Sequence, residues 1–331
     1  MKIGILASES SWYYRDIARA ALSQGHSCER LDFARMVART PSAAAARTII
    51  PAESIAQLLQ SLPQPEWPGS TGQGLPQHPS SPAAAQGIFV PTAHIDPLDV
   101  ILVRTMPPGS LEQVVFRMDL LARLEANGTK VVNSPKSLEC AVDKFLTTDR
   151  LHAAGLPVPE TIVCEHEEDA MSAFFALGED VVVKPLFGSE GRGIVRVSDP
   201  DLAHRTFRTL MRLDSVLYLQ RFINHGGFDV RILVLGNQVL GGMKRRSPGD
   251  FRTNVARAAI AEPHSPTPLE MEFALKATAI TGALIAGIDL LYDEAGRCYV
   301  IEVNAVPGWQ AFGRVTGIDV AMNLIQELEK G

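Results

Sequence analysis

The chain has 331 residues, 46% of them hydrophobic, which is enough to bury a sizeable core and to divide into more than one lobe. With 31 basic and 37 acidic residues the formal net charge is −6, so there is no global basic field and nucleic acid is not expected as a partner. The opening MKIGILASES has neither the apolar run nor the cleavage pattern of a secretory signal, and no stretch approaches membrane-spanning length, so a cytoplasmic protein without a membrane partner is expected.

Lys2 to Ala7 reads as a short strand, a helix follows from about Tyr14 to Gln24, and SCERLDF reads as a second strand. This β-α-β opening implies a parallel sheet carrying helices. No GxGxxG follows the first strand, so a nicotinamide-dependent oxidoreductase lacks its fingerprint. The composition changes between Thr40 and Asp96. Residues Pro63 to Gly87, rich in Pro, Gly, Ser and Gln and nearly uncharged, are expected to form a disordered insertion. Order resumes at DVILVRTMP, a buried strand. An amphipathic helix from about Leu111 to Asn127, a strand in KVVNSP and one helix from about Ser137 to Ala154 follow.

The second half reads as α+β with much antiparallel sheet. VVVKPLFGSEGRGIVRV suggests two strands joined by a Gly-rich turn, and LYLQRFI, DVRILVLGNQVLGGMKRR, GIDLLYD and CYVIEVN are further strands. The expected domains are 1–135, 136–218 and 219–331. Cys28, Cys140, Cys164 and Cys298 are scattered without a CxxC, which favours neither a zinc site nor a disulfide framework.

Three segments carry candidate chemistry. In Lys184 to Gly193 a lysine precedes a turn with three glycines and a serine. Such a turn can fold its N–H groups around phosphate oxygens, but an ordinary β-hairpin fits the same residues. The basic strip Lys244 to Asn254 can clamp phosphate or carboxylate groups through its arginines, or be a solvated turn. In VIEVN, Glu302 and Asn304 project from one strand face, because residues i and i+2 face the same way. Asp289 lies 302 − 289 = 13 positions earlier, and a turn between the two strands brings it beside them. Two carboxylates and an amide oxygen are hard ligands suited to Mg²⁺, and pairing with Arg or Lys is the alternative. Metal ligation is the favoured reading.

The ordered set VVVKPLFGSEGRGI, LYLQRFI, FDVRILVLGNQVLGGMKRRSPGDFRTN, GIDLL and IEVNAVPG resembles the ATP-grasp ligases, specifically the RimK-like branch that joins L-glutamate to a carboxylate. MKIGILASES and VVNSPKSLECAVDKFLTTDRLHAAGLPVPET extend the likeness over nearly the whole chain outside Thr40–Asp96.

The resemblance implies an N-terminal α/β domain, a small central α+β domain and a C-terminal α+β domain, with ATP between the last two. It implies that Lys144 and Lys184 contact phosphates and that Gly188, Ser189, Glu190 and Gly191 cover them. Gln220, Arg221, Phe222 and Ile223 line the adenine slot, and Asp229 meets the ribose. Arg252 and Asn254 meet the phosphates. Asp289, Glu302 and Asn304 hold two Mg²⁺ (or Mn²⁺) ions, and Arg231 and Arg246 orient the acceptor carboxylate or its acyl phosphate. The implied partners are ATP, L-glutamate or a similar amino acid, and a carboxylate acceptor, either a protein tail or a small molecule such as a pterin. A homo-oligomer is compatible with this reading. Trp309, just after VNAVPG, is placed where it narrows the acceptor pocket. The rival reading is an ATP-binding regulatory module without turnover.

Overall fold

In the computed structural model, which describes residues 1–39, 87–89, 98–188, 193–247, 251 and 260–330, β1 (Lys2–Leu6) runs parallel to β2 (Ser27–Leu31) on one side and β5 (Val100–Val103) on the other. Helix α1 (Trp12–Ser23) connects β1 to β2 and starts at Ser11, whose hydroxyl accepts from the Tyr14 N–H. All four residues of β5 are buried, as expected of a central strand in a parallel sheet covered on both faces. β6 (Lys130–Val132) completes the order β2-β1-β5-β6. Helix α2 (Leu111–Ala126) begins with a capping box in which Ser110 and Gln113 satisfy each other's backbone N–H groups. A short antiparallel ribbon joins β3 (Val37–Arg39) to β4 (Gly87–Phe89). The expected insertion falls on residues outside the described ones, apart from Gly87, which opens β4.

The chain forms two compact units, Met1–Val131 and Val132–Gly331. The second contains two antiparallel sheets. The smaller has the order β7-β10-β8-β9, from β7 (Thr161–Cys164), β8 (Val181–Lys184), β9 (Val195–Val197) and β10 (Leu217–Arg221). Its strands alternate, as the period of two requires. Val181, Val183, Leu217 and Leu219 face a core completed by Ala170 and Phe174 of α5 (Glu167–Ala176) and Ala203 and Phe207 of α6 (Pro200–Met211). Lys184 and Gln220 face the other way.

The larger sheet has the order β13-β12-β11-β14-β15, from β11 (Phe228–Leu235), β12 (Gln238–Arg246), β13 (Ile260–His264), β14 (Ile285–Tyr292) and β15 (Cys298–Asn304). Gly236, in the left-handed region at φ 56°, turns β11 into β12. Helix α7 (Pro268–Thr281) packs on this sheet behind its own capping box, Thr267 with Glu270. Asn133 ties the sheet's end together. Its Nδ2 donates to Ile285 O (2.7 Å) and Ala305 O (2.5 Å), and its Oδ1 accepts from Leu284 N (2.6 Å). α8 (Gln310–Thr316) and α9 (Val320–Glu329) close the chain.

Three expectations need correction. The single helix over 137–154 is two helices, α3 (Pro135–Val142) and α4 (Lys144–Ala153), broken at Asp143. The Asp143 carboxylate accepts from Leu146 N–H, so its preference for the cap position overrides helical continuity. The boundary at 218/219 lies inside β10, and α3 and α4 pack against α7 and β15, with α4 also bonding β10 through Thr148 and Tyr218. Trp309 is 1% exposed and belongs to the core with Phe312, so it does not narrow a pocket.

Candidate active site

The polar faces of the two sheets line one cleft. It encloses about 770 Å³ of space not filled by protein atoms, part of it open solvent. The smaller sheet contributes Lys184 and Gln220, with Arg221, Phe222 and Ile223 following along the chain. The larger sheet contributes Asp229, Arg245, Asp289, Ile301 and Glu302.

Antiparallel register dictates which groups meet on the larger sheet. Arg231 lies opposite Asp289, Asp229 opposite Arg245, and Asp289 opposite Glu302. The first pair is bidentate, Nε to Oδ1 and Nη2 to Oδ2, both at 2.6 Å. Arg245 bonds both Asp229 oxygens and also reaches Asp289 Oδ2 at 2.9 Å. The result is a buried alternating chain, Asp229–Arg245–Asp289–Arg231. Burial pushes the Asp289 carboxyl up, but the Arg231 and Arg245 charges and their hydrogen bonds outweigh it and hold it below the usual carboxylate range. Burial likewise opposes the charge on Arg245, and its two aspartates more than compensate.

Asn304 shares the face of Glu302, as its spacing predicts, and pairs with Gly287. The β14–β15 register shifts between Asp289 and Leu290, a bulge that leaves Ile301 extra. Consecutive residues Ile301 and Glu302 therefore both line the cleft, which strict alternation forbids.

On the smaller sheet the partners of Lys184 and Gln220 are neutral. Lys184 Nζ donates to Gln220 Oε1 at 2.7 Å, and Gln220 Nε2 donates to Thr161 Oγ1 (3.0 Å) and the Tyr218 hydroxyl (3.2 Å). Burial lowers the Lys184 ammonium to about 8, against the raising influence of Glu302. Lys144, first residue of α4, donates to the Gly188 carbonyl at 2.8 Å and is lowered chiefly by burial, with Glu302 and Asp143 opposing. Breaking the helix at Asp143 is what sets Lys144 at a helix start beside the Gly-rich turn.

Several expected residues lie elsewhere. Arg246 projects from the opposite face of the larger sheet to Arg231, over the Phe228 ring at 5.2 Å and 3.5 Å from Glu262. Ser189, Glu190, Gly191, Arg252 and Asn254 lie outside the described residues. Arg245, in contrast, was not singled out by sequence reasoning. Its signal was available: it pairs in register with an aspartate once β11 and β12 are read as a hairpin, which places it on the inner face and Arg246 on the outer.

The donor set suits a hard divalent cation. Among the described residues no ion pair or hydrogen bond engages the Glu302 side chain, and Asn304 Oδ1 accepts only from Val306 N at 2.9 Å. Both oxygens fit Mg²⁺ or Mn²⁺, which use one or two protein carboxylates together with water and phosphate oxygens. Asp289 is already bound to two arginines and is a ligand only with the lone pairs they leave.

Two antiparallel sheets facing across a cleft, with Lys184 on one and Asp229, Asp289 and Glu302 on the other, are the arrangement of an ATP-grasp enzyme. A family model described as the RimK-like ATP-grasp domain matches residues 141–328, and the chain belongs to this family of ADP-forming ligases that make carbon–nitrogen bonds. It is similar to the tetrahydromethanopterin:alpha-L-glutamate ligase of Methanosarcina acetivorans, 31% identical over 260 residues, covering 70% of this chain and 80% of that one. A probable alpha-L-glutamate ligase of Pasteurella multocida is 33% identical, over 64% of this chain and 68% of its own. The fold matches the ATP-grasp ligase PsnB, solved with a minimal precursor, Mg and ADP, at a TM-score of 0.66 and 19% identity, over 99% of this chain and 96% of that one. Among the described residues no helix is long and apolar enough to cross a membrane.

Proposed function

We propose that this ligase joins an α-amino acid, L-glutamate by the names of its relatives, to the carboxylate of an acceptor through an acyl phosphate. The observation that carries the reading is the cleft itself. Lys184 and its amide partner line it from one side, and Glu302 with Asp289, which Arg231 grips, from the other. A carboxylate is a poor electrophile, and phosphorylation makes its oxygen a leaving group. Transfer of a γ-phosphoryl group asks for positioning and neutralisation of charge, not for a nucleophilic side chain.

In this reading Lys184 and Lys144 bind phosphate oxygens, and Gln220 holds the Lys184 ammonium in place while the cleft is empty. Phe222 and Ile223 take the base, and Asp229, fixed by Arg245, takes a ribose hydroxyl. Arg231 aligns the acceptor carboxylate and stabilises the oxyanion formed when the amine attacks. Glu302 and Asn304, with Asp289, would hold the two divalent ions, whose contribution is to neutralise phosphate oxygens as charge moves. Arg252 and Asn254 are assigned to the phosphates on family resemblance, and Arg246, on the outer face of the sheet, takes no part in binding the acceptor carboxylate that Arg231 meets. The acceptor is a small-molecule acid of pterin type or a protein tail. Free thiols at all four cysteines are in keeping with a cytoplasmic enzyme.

Hydroxylamine tests the reaction. With acceptor, ATP and Mg²⁺ but no amino acid, an acyl phosphate should be intercepted as a hydroxamate, with ADP and phosphate released. Amide formation with the amino acid, but no hydroxamate at any hydroxylamine concentration, would overturn the intermediate.

A further inference from the structure

Arg196 of the second unit belongs to none of these roles, yet it stacks on Phe222, a residue of the cleft wall. Arg196 lies on β9, the edge strand that leaves the Gly-rich turn. Its guanidinium donates to both oxygens of Asp180, Nε to Oδ1 at 2.8 Å and Nη2 to Oδ2 at 2.7 Å. Its central carbon sits 3.6 Å from the centroid of the Phe222 ring. The Phe222 N–H in turn donates to the Asp180 carbonyl at 2.9 Å. Three residues from three segments therefore close a ring of contacts: Asp180 before β8, Arg196 on β9, and Phe222 just after β10.

The turn delivering Asp180 holds a non-glycine residue in the left-handed region, Glu179 at φ 60°, which side chains rarely adopt. Phe222 lines the cleft and stands edge-on to Phe251 at 6.2 Å and tilted to His225 at 5.8 Å. As an ion pair alone, Arg196 with Asp180 would count for little, since their side chains are 40% and 35% exposed. The stacked ring gives the pair a different use. A guanidinium held flat by a bidentate carboxylate is a rigid plate, and a ring lying on it has its tilt fixed.

We propose that Arg196 is a positioning residue for nucleoside recognition: anchored by Asp180, it sets the Phe222 ring against the base and ties that ring to the strand leaving the phosphate-covering turn. The inference rests on reading the cleft as the nucleotide site.

The test measures ADP and tripolyphosphate binding to the full chain by calorimetry, with steady-state kinetics in ATP. Arg196→Ala should raise the Kd for ADP and the KM for ATP about three- to tenfold, the worth of a partly exposed cation–π contact. The loss should fall on KM and not on kcat, and tripolyphosphate, which has no base, should bind as before. Arg196→Lys, which keeps the charge but not the fork, should recover part of the loss. In a Phe222→Leu background Arg196→Ala should add nothing. Asp180→Asn provides a second route to the same effect if Arg196→Ala lowers the melting temperature. Unchanged ADP affinity in both variants, or an equal loss for tripolyphosphate, overturns the inference. If Lys184→Gln and Phe222→Leu also leave ADP affinity untouched, the cleft assignment itself falls with it.

Discussion

Within the second unit, Lys184 of the smaller sheet and the Asp–Arg chain of the larger one treat charge in opposite ways. On the larger sheet Asp229, Arg245, Asp289 and Arg231 neutralise one another in a continuous buried chain. On the smaller sheet Lys184 is left with an amide, and burial draws its proton affinity down. A charge that already has its counter-charge holds geometry, and one given only a neutral partner is left for a ligand. Glu302 is the exception on the larger sheet, for among the described residues no ion pair engages it. In the proposed reading the reacting phosphates lie between Lys184 and Glu302, and the paired network serves as a rigid floor.

The sharpest way to break this contrast is at Glu302. Glu302→Gln keeps the shape and removes a cleft carboxylate that no ion pair among the described residues engages, so turnover should fall by at least about a hundredfold while ADP still binds. Near-normal ADP formation by the purified variant would show that Glu302 does no work on the phosphates.

Arg245 tests the opposite side. Arg245→Met removes the arginine that two buried carboxylates, Asp229 and Asp289, share, and should cost about 3–5 kcal/mol of stability. Urea denaturation measures it. A loss below about 1 kcal/mol would mean that the network is decoration and not scaffold.

Lys184 supplies a pH dependence with a definite sign. The free enzyme holds the ammonium below about pH 8 and loses it above, so kcat/KM for ATP should decline on the alkaline side of that value. The limb in kcat should lie higher, because bound phosphates stabilise the cation. Lys184→Arg should move the limb out of range. A pH profile of kcat/KM flat to pH 9.5 in the parent enzyme would remove Lys184 from phosphate binding.

The smallest expected effect is at the helix break. Asp143→Ala removes a capping bond from α4 and should cost about 1 kcal/mol, seen as a modest drop in melting temperature. It should also raise the KM for ATP, since Lys144 follows immediately. A variant with unchanged stability would show that the cap is not what divides the helix.

Much of the architecture was legible before the structure. Alternation in VVVK and LYLQR marks strands with one apolar face, and the turn composition between Tyr292 and Arg297 brings Asp289 opposite Glu302, as the register bears out. The break at Asp143 was legible in principle, because an aspartate three residues before a backbone donor is a cap. The apolar spacing across 137–154 continues without interruption and hid it.

What the sequence determined by itself is local: which residues alternate, where turns fall, and which acids share a strand face, all set by a backbone period of two and by turn chemistry. Whether an arginine is scaffold or ligand-binding was decided only by tertiary structure. Arg245 and Arg246 are adjacent and chemically identical in the chain, yet one is buried between two aspartates and the other stands outside over Phe228. The bulge at Ile301 is likewise invisible in the sequence, because it arises from fitting two strands of unequal local length. Pairing across a sheet joins residues many positions apart, and only the folded register says which charges meet and which are left to a ligand.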